Sequence, residues 1–304
     1  MNKIGLAPLL GLKNTDAFLQ GPWPKSPYVI HELTESLKPL LQIPFLNSVD
    51  SLLKYWPELL SVHLPDVKDE SSAIETNSEN ARKLFSNGMA LLFNKVHLHS
   101  EVLNTWLLAL KKDLGLPAST NSRCMVYATP NGKGTAWHFD QNINFVVQLA
   151  GVKKWWLEPN TTVENPTERH TLGQPIDFEL QSYLESPVPT KMTGLDRQEI
   201  ILKPGSVLFV PRGYWHSTEA AGEALALNFT FNQPTWADLL TMALRSRLIL
   251  SPDWRELADG VQSEKSDVRK KAQEIFQILL EDLVSDLPNW NAADILASAE
   301  GDLD

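Results

Sequence analysis

The residues with the most chemical content are His138-Phe139-Asp140 and, 76 positions past Asp140, His216 within Pro211-Arg212-Gly213-Tyr214-Trp215-His216. Two neutral imidazoles and one carboxylate occupy one face of an octahedral metal and leave three positions open, the donor set of non-heme Fe(II) oxygenases. In an extended strand residues i and i+2 point the same way, so His138 and Asp140 can hold one ion while Phe139 turns into packing. His216 follows the apolar run Val207-Leu208-Phe209-Val210, where a rigid Pro-Arg-Gly turn can aim a side chain back into a barrel. A bare His-x-Asp pair is a weak match, and its surroundings decide its meaning. A rival set, His97-x-His99-x-Glu101, would need all three ligands on one strand face. Ser100, however, reads as a helix N-cap and puts Glu101 in the first helical turn. His31, His63 and His170 lack matching partners in the sequence and read as surface or polar-core residues. Cys124 has no paired base and is not a nucleophile by pattern.

The elements that must position these groups change period along the chain. Helical spacing predicts a helix near Asp50–Leu60 from Leu52, Leu53, Trp56, Leu59 and Leu60, and an exposed loop over Asp66–Asn80. Ser78 is expected to cap a short helix stopped by Asn87-Gly88, and Ser100 a stronger one running through Val102, Leu103, Trp106, Leu107 and Leu110 to Gly115. From Arg123 to Thr230 the pattern becomes short, β-rich and turn-punctuated. Strands are expected at Met125–Ala128, Trp137–Asp140, Asn144–Ala150, Lys154–Leu157, Val207–Val210 and Leu225–Phe231. Many short strands with little helix between them imply an antiparallel barrel or jelly roll. Phe145, Val147, Leu149, Phe209 and Phe229 alternate along these strands and shield its interior where they point inward, a direction the sequence leaves open. Beyond Pro234 the helical period returns, at Trp236–Leu250 and Asp267–Leu287.

At this point a resemblance is visible. Val126-Tyr127-Ala128-Thr129-Pro130, Gly134-Thr135-Ala136-Trp137-His138-Phe139-Asp140, Gln148-Leu149-Ala150-Gly151-Val152-Lys153-Lys154-Trp155 and Leu202 through His216 together resemble the JmjC/cupin-4 family. That group includes ribosomal-protein hydroxylases and is similar to the asparaginyl hydroxylase of hypoxia-inducible factor. The resemblance implies a mainly β fold: a double-stranded β-helix (jelly-roll) core over residues 96–232, a mixed helical lead-in over 1–95, and a helical region over 233–304 that dimerises or covers the substrate. It also implies Fe(II) held by His138, Asp140 and His216, with 2-oxoglutarate and O₂ as cosubstrates. Lys153 then pairs with the distal carboxylate of 2-oxoglutarate and Tyr127 reaches the same group. Asn144 lies near the metal-proximal carboxylate, and Thr135 and Asn228 are further polar liners. By residue type alone Lys153 could be an exposed strand lysine, Tyr127 a core filler and Asn144 a turn residue. Trp137, Trp155, Trp156 and Trp215 read as packing.

The implied reaction is oxidative decarboxylation of 2-oxoglutarate to succinate and CO₂, coupled to hydroxylation of a C–H bond, with a protein or peptide side chain as the expected substrate. Demethylation of N-methyl-lysine and hydroxylation of a small molecule or peptide natural product use the same chemistry. A metal-binding cupin without oxygenase activity, as an isomerase or a silent interaction module, is the reading from another class. Composition fits a globular enzyme: 304 residues, 43% hydrophobic, 21% charged, with 10 Trp that need burial or a binding surface. The balance of 27 basic against 37 acidic residues, with no basic strip, argues against direct nucleic-acid binding. One cysteine excludes an intrachain disulfide framework and fits a reducing compartment. The apolar run Ile4–Leu10 is too short to span a membrane and has no convincing cleavage site, so a cytoplasmic protein is expected, and the apolar rows of the tail helices make a homodimer the expected assembly.

Overall fold

The computed structural model describes residues 4–11, 13–64 and 73–300. Two compact units result, one from residues 1–116 and 121–232, the other from 117–120 and 233–304. Among the described residues, eleven strands of the first unit join one sheet. They are β1 (Tyr28–Ile30), β2 (Leu60–His63), β3 (Ala73–Thr76), β4 (Ala90–Phe93), β5 (Asn121–Thr129), β6 (His138–Phe139), β7 (Ile143–Glu158), β8 (His170–Thr171), β9 (Gln198–Leu202), β10 (Val207–Val210) and β11 (Trp215–Asn232).

The long strands β7 and β11 each serve two layers. The first half of β7 and the second half of β11 sit in the run β1-β10-β7-β11-β5-β4-β2-β3, while the other half of β7 pairs with β9 and with the first half of β11, which also pairs with β6, and β6 in turn with β8. The changeover lies at Gly151 and at a register shift between Ala221 and Leu225. A bulge bends and twists the strand that carries it, which lets two strands turn a corner together. Gln148, fully buried, bonds the carbonyls of Ala150 and Leu225 there, at 2.7 and 3.4 Å, and compensates for the interrupted ladder. All pairings are antiparallel, so the expected double-stranded β-helix is the observed fold.

Several local expectations need correction. The helix expected to reach Leu60 is Val49–Tyr55, because Trp56 precedes Pro57 and is forced to extended backbone (φ −67°, ψ 119°), and Leu60 opens β2. Part of the expected loop Asp66–Asn80 is strand β3, paired with β2, and residues 66–72 lie outside the described residues. The cap of the next helix is Asn77, one residue before Ser78, its side chain accepting the Asn80 N–H at 2.9 Å. Asn144–Ala150 and Lys154–Leu157 are one strand. The helix Glu101–Asp113 forms as expected, capped by Ser100, with Leu103, Trp106, Leu107 and Leu110 buried.

The structure also settles which way the β residues face. Phe145, Val147, Leu149, Phe209 and Phe229 belong to the apolar core shared with the lead-in residues Leu9, Leu10 and Phe18 and with Trp106. Phe18 meets Phe145 and Phe209 at ring distances of 6.0 and 5.1 Å, and Trp106 stacks on Phe229 at 6.2 Å. The opposite face carries a smaller apolar group of Val146, Trp155, Leu157, Leu208, Val210 and Ala226. Period 2 sorts residues into two sets but does not name the inner one, and here the barrel's lumen is the more polar. In the second unit the helices Trp236–Leu248 and Ser266–Asp286 are joined by a helix Ala292–Glu300 that the sequence reading did not separate.

Candidate metal centre

His138 and His216 are cross-strand partners on β6 and β11, their ring centroids 4.1 Å apart. Each ring is oriented by its own strand: His138 Nδ1 lies 2.7 Å from the Ala136 carbonyl and His216 Nδ1 2.9 Å from that of Tyr214. A ring nitrogen bonded to a carbonyl must carry the proton, which leaves Nε2 of both rings as a bare donor. Asp140 follows β6, with Oδ2 3.7 Å from His216 Nε2. One donor atom from each residue lies within 4.8 Å of the other two, the single such cluster of three among the described residues. That is close enough for one ion to draw the three together, and two imidazoles with one carboxylate suit Fe(II).

Burial, with the Arg169 guanidinium second, lowers the His138 pKa to about 4, so the ring is neutral and free to ligate at neutral pH. Burial alone would raise the Asp140 pKa, but His138, His216 and Arg169 around it outweigh burial and hold it below the usual carboxylate range. The turn before His216 is shaped for this contact. Gly213 adopts φ +77°, a Cβ there would lie 2.8 Å from Pro166 Cδ, and its N–H donates to the Asp140 carbonyl at 2.8 Å. Gly134 is needed for similar reasons, since a Cβ would fall 1.8 Å from the Thr218 carbonyl oxygen.

These donors line a cavity of ≈ 290 Å³ together with Tyr127, Thr135, Asn144, Lys153 and Asn228, so every sequence-proposed site residue faces one space. Lys153 is 4% exposed and donates to Thr129 Oγ1 at 3.3 Å, with Nζ 5.8 Å from the ring centres of both Tyr127 and Trp155. A lysine this deep is costly without an anion. Asn144 is committed on both sides, donating to Asp140 Oδ2 at 3.3 Å and accepting from Thr230 Oγ1 at 2.6 Å. The hydroxyls of Thr135 and Thr218 lie 3.0 Å apart. Asn228 Oδ1 is buried with no hydrogen-bond partner among the described residues.

The cavity also holds residues the sequence reading did not select: His63, Asn94, Arg123, Asn142, Trp155, Arg169 and Thr218. Trp155 and Thr218 were reachable, each two positions from a selected residue on the same strand, and so was Arg123, four positions before Tyr127, all on the selected residues' face. His63 and Arg169 were not, since pairing across the sheet brings them in. The rival histidines do not converge. His97 and His99 fall in a single helical turn, where His97 Nδ1 accepts the Cys124 N–H at 3.1 Å and His99 Nε2 faces Glu58 at 3.2 Å.

Comparison with known proteins agrees with this geometry. A JmjC-domain family model matches residues 109–239. YxbC, an uncharacterized protein of Bacillus subtilis, is 32% identical over 293 residues, spanning 94% of this chain and 88% of its own length. The chain belongs to the JmjC family of 2-oxoglutarate-dependent oxygenases. Among other JmjC relatives, human ribosomal oxygenase 1 is 26% identical over 270 residues, which cover 82% of this chain but 39% of that protein. The crystal structure of Escherichia coli ribosomal oxygenase YcfD shares the fold, with a TM-score of 0.58 at 18% identity over 95% of this chain and 70% of that one.

Proposed function

We propose that this JmjC protein is an Fe(II)- and 2-oxoglutarate-dependent hydroxylase of a protein or peptide side chain, releasing succinate and CO₂. The observation that carries the reading is the convergence of three metal donors and a buried lysine on one cavity. When bound, Fe(II) would supply open coordination positions for 2-oxoglutarate and O₂, with O₂ the oxidant for both the decarboxylation and the C–H hydroxylation. The chain's own residues do the rest. Lys153 binds the distal carboxylate of 2-oxoglutarate by a charge-assisted bond, helped by Tyr127 and by the Thr129 hydroxyl that orients its ammonium. Thr135 and Asn228 offer further polar contacts, and Asn144 steadies Asp140. Trp155, Val210 and Ala226 make the wall apolar enough to limit water near the reacting groups.

A protein substrate is supported by the names of the ribosomal oxygenase relatives. Asp140 is the one carboxylate among the described cavity residues, against Arg123, Lys153 and Arg169. That charge balance weighs against an N-methylammonium substrate. A cytoplasmic location rests on the single cysteine, which is buried and free. Among the described residues no helix is long and apolar enough to cross a membrane.

Homodimerisation through the second unit is supported by its helix Ser266–Asp286. That helix has no buried residue and exposes Ile275, Phe276, Ile278 and Val284. Light scattering after size exclusion should give twice the chain mass, and a monomer at micromolar concentration would remove this part of the reading. For the chemistry, anaerobic calorimetry with Fe(II) and 2-oxoglutarate should show binding, and air should then yield succinate. Lys153→Ala should weaken 2-oxoglutarate about 100-fold, the loss of a buried charge-assisted contact. Absence of both 2-oxoglutarate binding and succinate formation with the wild-type chain would rule out the oxygenase reading.

A further inference from the structure

Arg169 lies in the stretch between β7 and β9, one residue before β8. β8 pairs with β6 so that His138 faces Thr171 and Phe139 faces His170. Carried one residue further, the same antiparallel register sets Arg169 opposite Asp140. The side chains meet: Arg169 Nε is 3.2 Å from Asp140 Oδ1. The far end of the guanidinium is fixed as well, Nη1 donating to Thr171 Oγ1 at 2.9 Å. Asp140 is thereby held at three points. Its carbonyl accepts the Gly213 N–H, its Oδ2 accepts from Asn144 and faces His216, and its Oδ1 faces Arg169.

The two carboxylate oxygens therefore have different surroundings. Oδ2 faces His216, while Oδ1 is turned to a guanidinium that is itself anchored on the strand beside the metal-bearing one. A carboxylate left to rotate presents either oxygen, or both, to an ion. One whose second oxygen is bonded from outside presents a single oxygen in a fixed direction, and such outer partners commonly control metal affinity.

We propose that Arg169 is a positioning residue for the metal centre, holding Asp140 Oδ1 through its Nε so that Oδ2 alone is presented to the ion. This rests on the reading that His138, Asp140 and His216 hold a divalent metal. A guanidinium also repels a dication, so charge and orientation push metal affinity in opposite directions and can be separated by substitution. In glutamine the amide nitrogen occupies the position along the side chain that Nε holds in arginine, so Arg169→Gln keeps the donor and drops the charge. Arg169→Lys keeps the charge but puts a carbon at that position. Arg169→Met drops both.

The test is titration of the metal-free protein with Co(II), followed by calorimetry and by the visible absorption of the bound ion, with the melting temperature of each metal-free variant alongside. Arg169→Gln should bind Co(II) within about threefold of wild type with the same spectrum. Arg169→Met should bind about 10- to 100-fold more weakly, the range for loss of an outer partner, with an altered spectrum. Arg169→Lys, which keeps the repulsion and loses the donor, should bind no more tightly than Arg169→Met. If Arg169→Met does not fold, the order of Gln and Lys decides. Arg169→Lys binding Co(II) as tightly as Arg169→Gln or more tightly, or equal affinities and spectra across the series, overturns the proposal. A wild-type chain that binds no Co(II) refutes the metal reading itself, which is a different result.

Discussion

The two faces of the same strands differ more than any two segments of the chain. On β5, Cys124, Val126 and Ala128 enter the apolar core beside the lead-in helices, while Arg123, Met125 and Tyr127 line the cavity. On β11, Leu227, Phe229 and Phe231 take the first role, and His216, Thr218, Ala226 and Asn228 the second. One face has its apolar groups covered by helices, and the other keeps histidine, lysine and asparagine around a space. Stability and chemistry are thus interleaved at a spacing of one residue. Substitutions on neighbouring positions should therefore fail in different ways.

The strongest test of that division is on the cavity face. Asp140→Ala should lower succinate formation by about 10³-fold or more, because several kcal/mol of metal-dependent stabilisation are lost, while the melting temperature changes little. A comparable collapse in melting temperature would blur the two faces. Next in size, Phe229→Ala on the covered face should cost about 3–5 kcal/mol in urea unfolding, as a fully buried ring leaves a cavity against Trp106. Its Co(II) affinity per folded molecule should stay near wild type. A loss of metal binding beyond the unfolded fraction would show that the faces are coupled.

A smaller effect with an unusual sign is expected at Asn228. Asn228→Leu removes a buried oxygen that has no partner and should leave the metal-free protein as stable as wild type or about 1 kcal/mol more so, while weakening binding in the cavity. Loss of stability would mean the amide is satisfied in solution. An effect of similar size, visible only as a pH dependence, is expected at Cys124, whose thiol pKa is raised well above its ordinary value by burial. Below the unfolded thiol's pKa of about 8.5 both states are protonated and stability is intact. As pH rises beyond it, only the unfolded chain ionises, and stability falls by up to about 1.4 kcal/mol per pH unit until the folded thiol also titrates. The urea midpoint of Cys124→Ala should accordingly decline less between pH 7.5 and 9.5 than that of the wild type. Equal declines would place the thiol's ionisation elsewhere.

How much of this could be read from the sequence depends on the range of the interaction involved. His138 and Asp140 were legible because two-residue spacing on a strand is local, and His216 because its Pro-Arg-Gly turn has a distinctive shape. The helix Glu101–Asp113 was legible from its cap and its apolar spacing. The short strands β8 and β1 carry too few residues for any period to register. Arg169 depends on register across the sheet, which no local pattern contains. The face taken by the phenylalanines was not legible for a different reason. The rule that apolar residues point inward holds for a filled core, but a barrel that keeps a ligand space and is covered by helices reverses it.

β11 also governs the order in which this architecture can assemble. It is the last strand of its unit in the sequence, yet it lies between β5 and β7 and pairs with both along most of its length. Until residue 232 is available, β5 and β7 have no central partner, and each keeps an open edge able to pair with another chain. Folding must therefore wait for contacts between segments about a hundred residues apart, which slows it and prolongs exposure of Val126, Val147 and their neighbours. A chain interrupted anywhere before Asn232 is expected to aggregate rather than yield a smaller folded barrel.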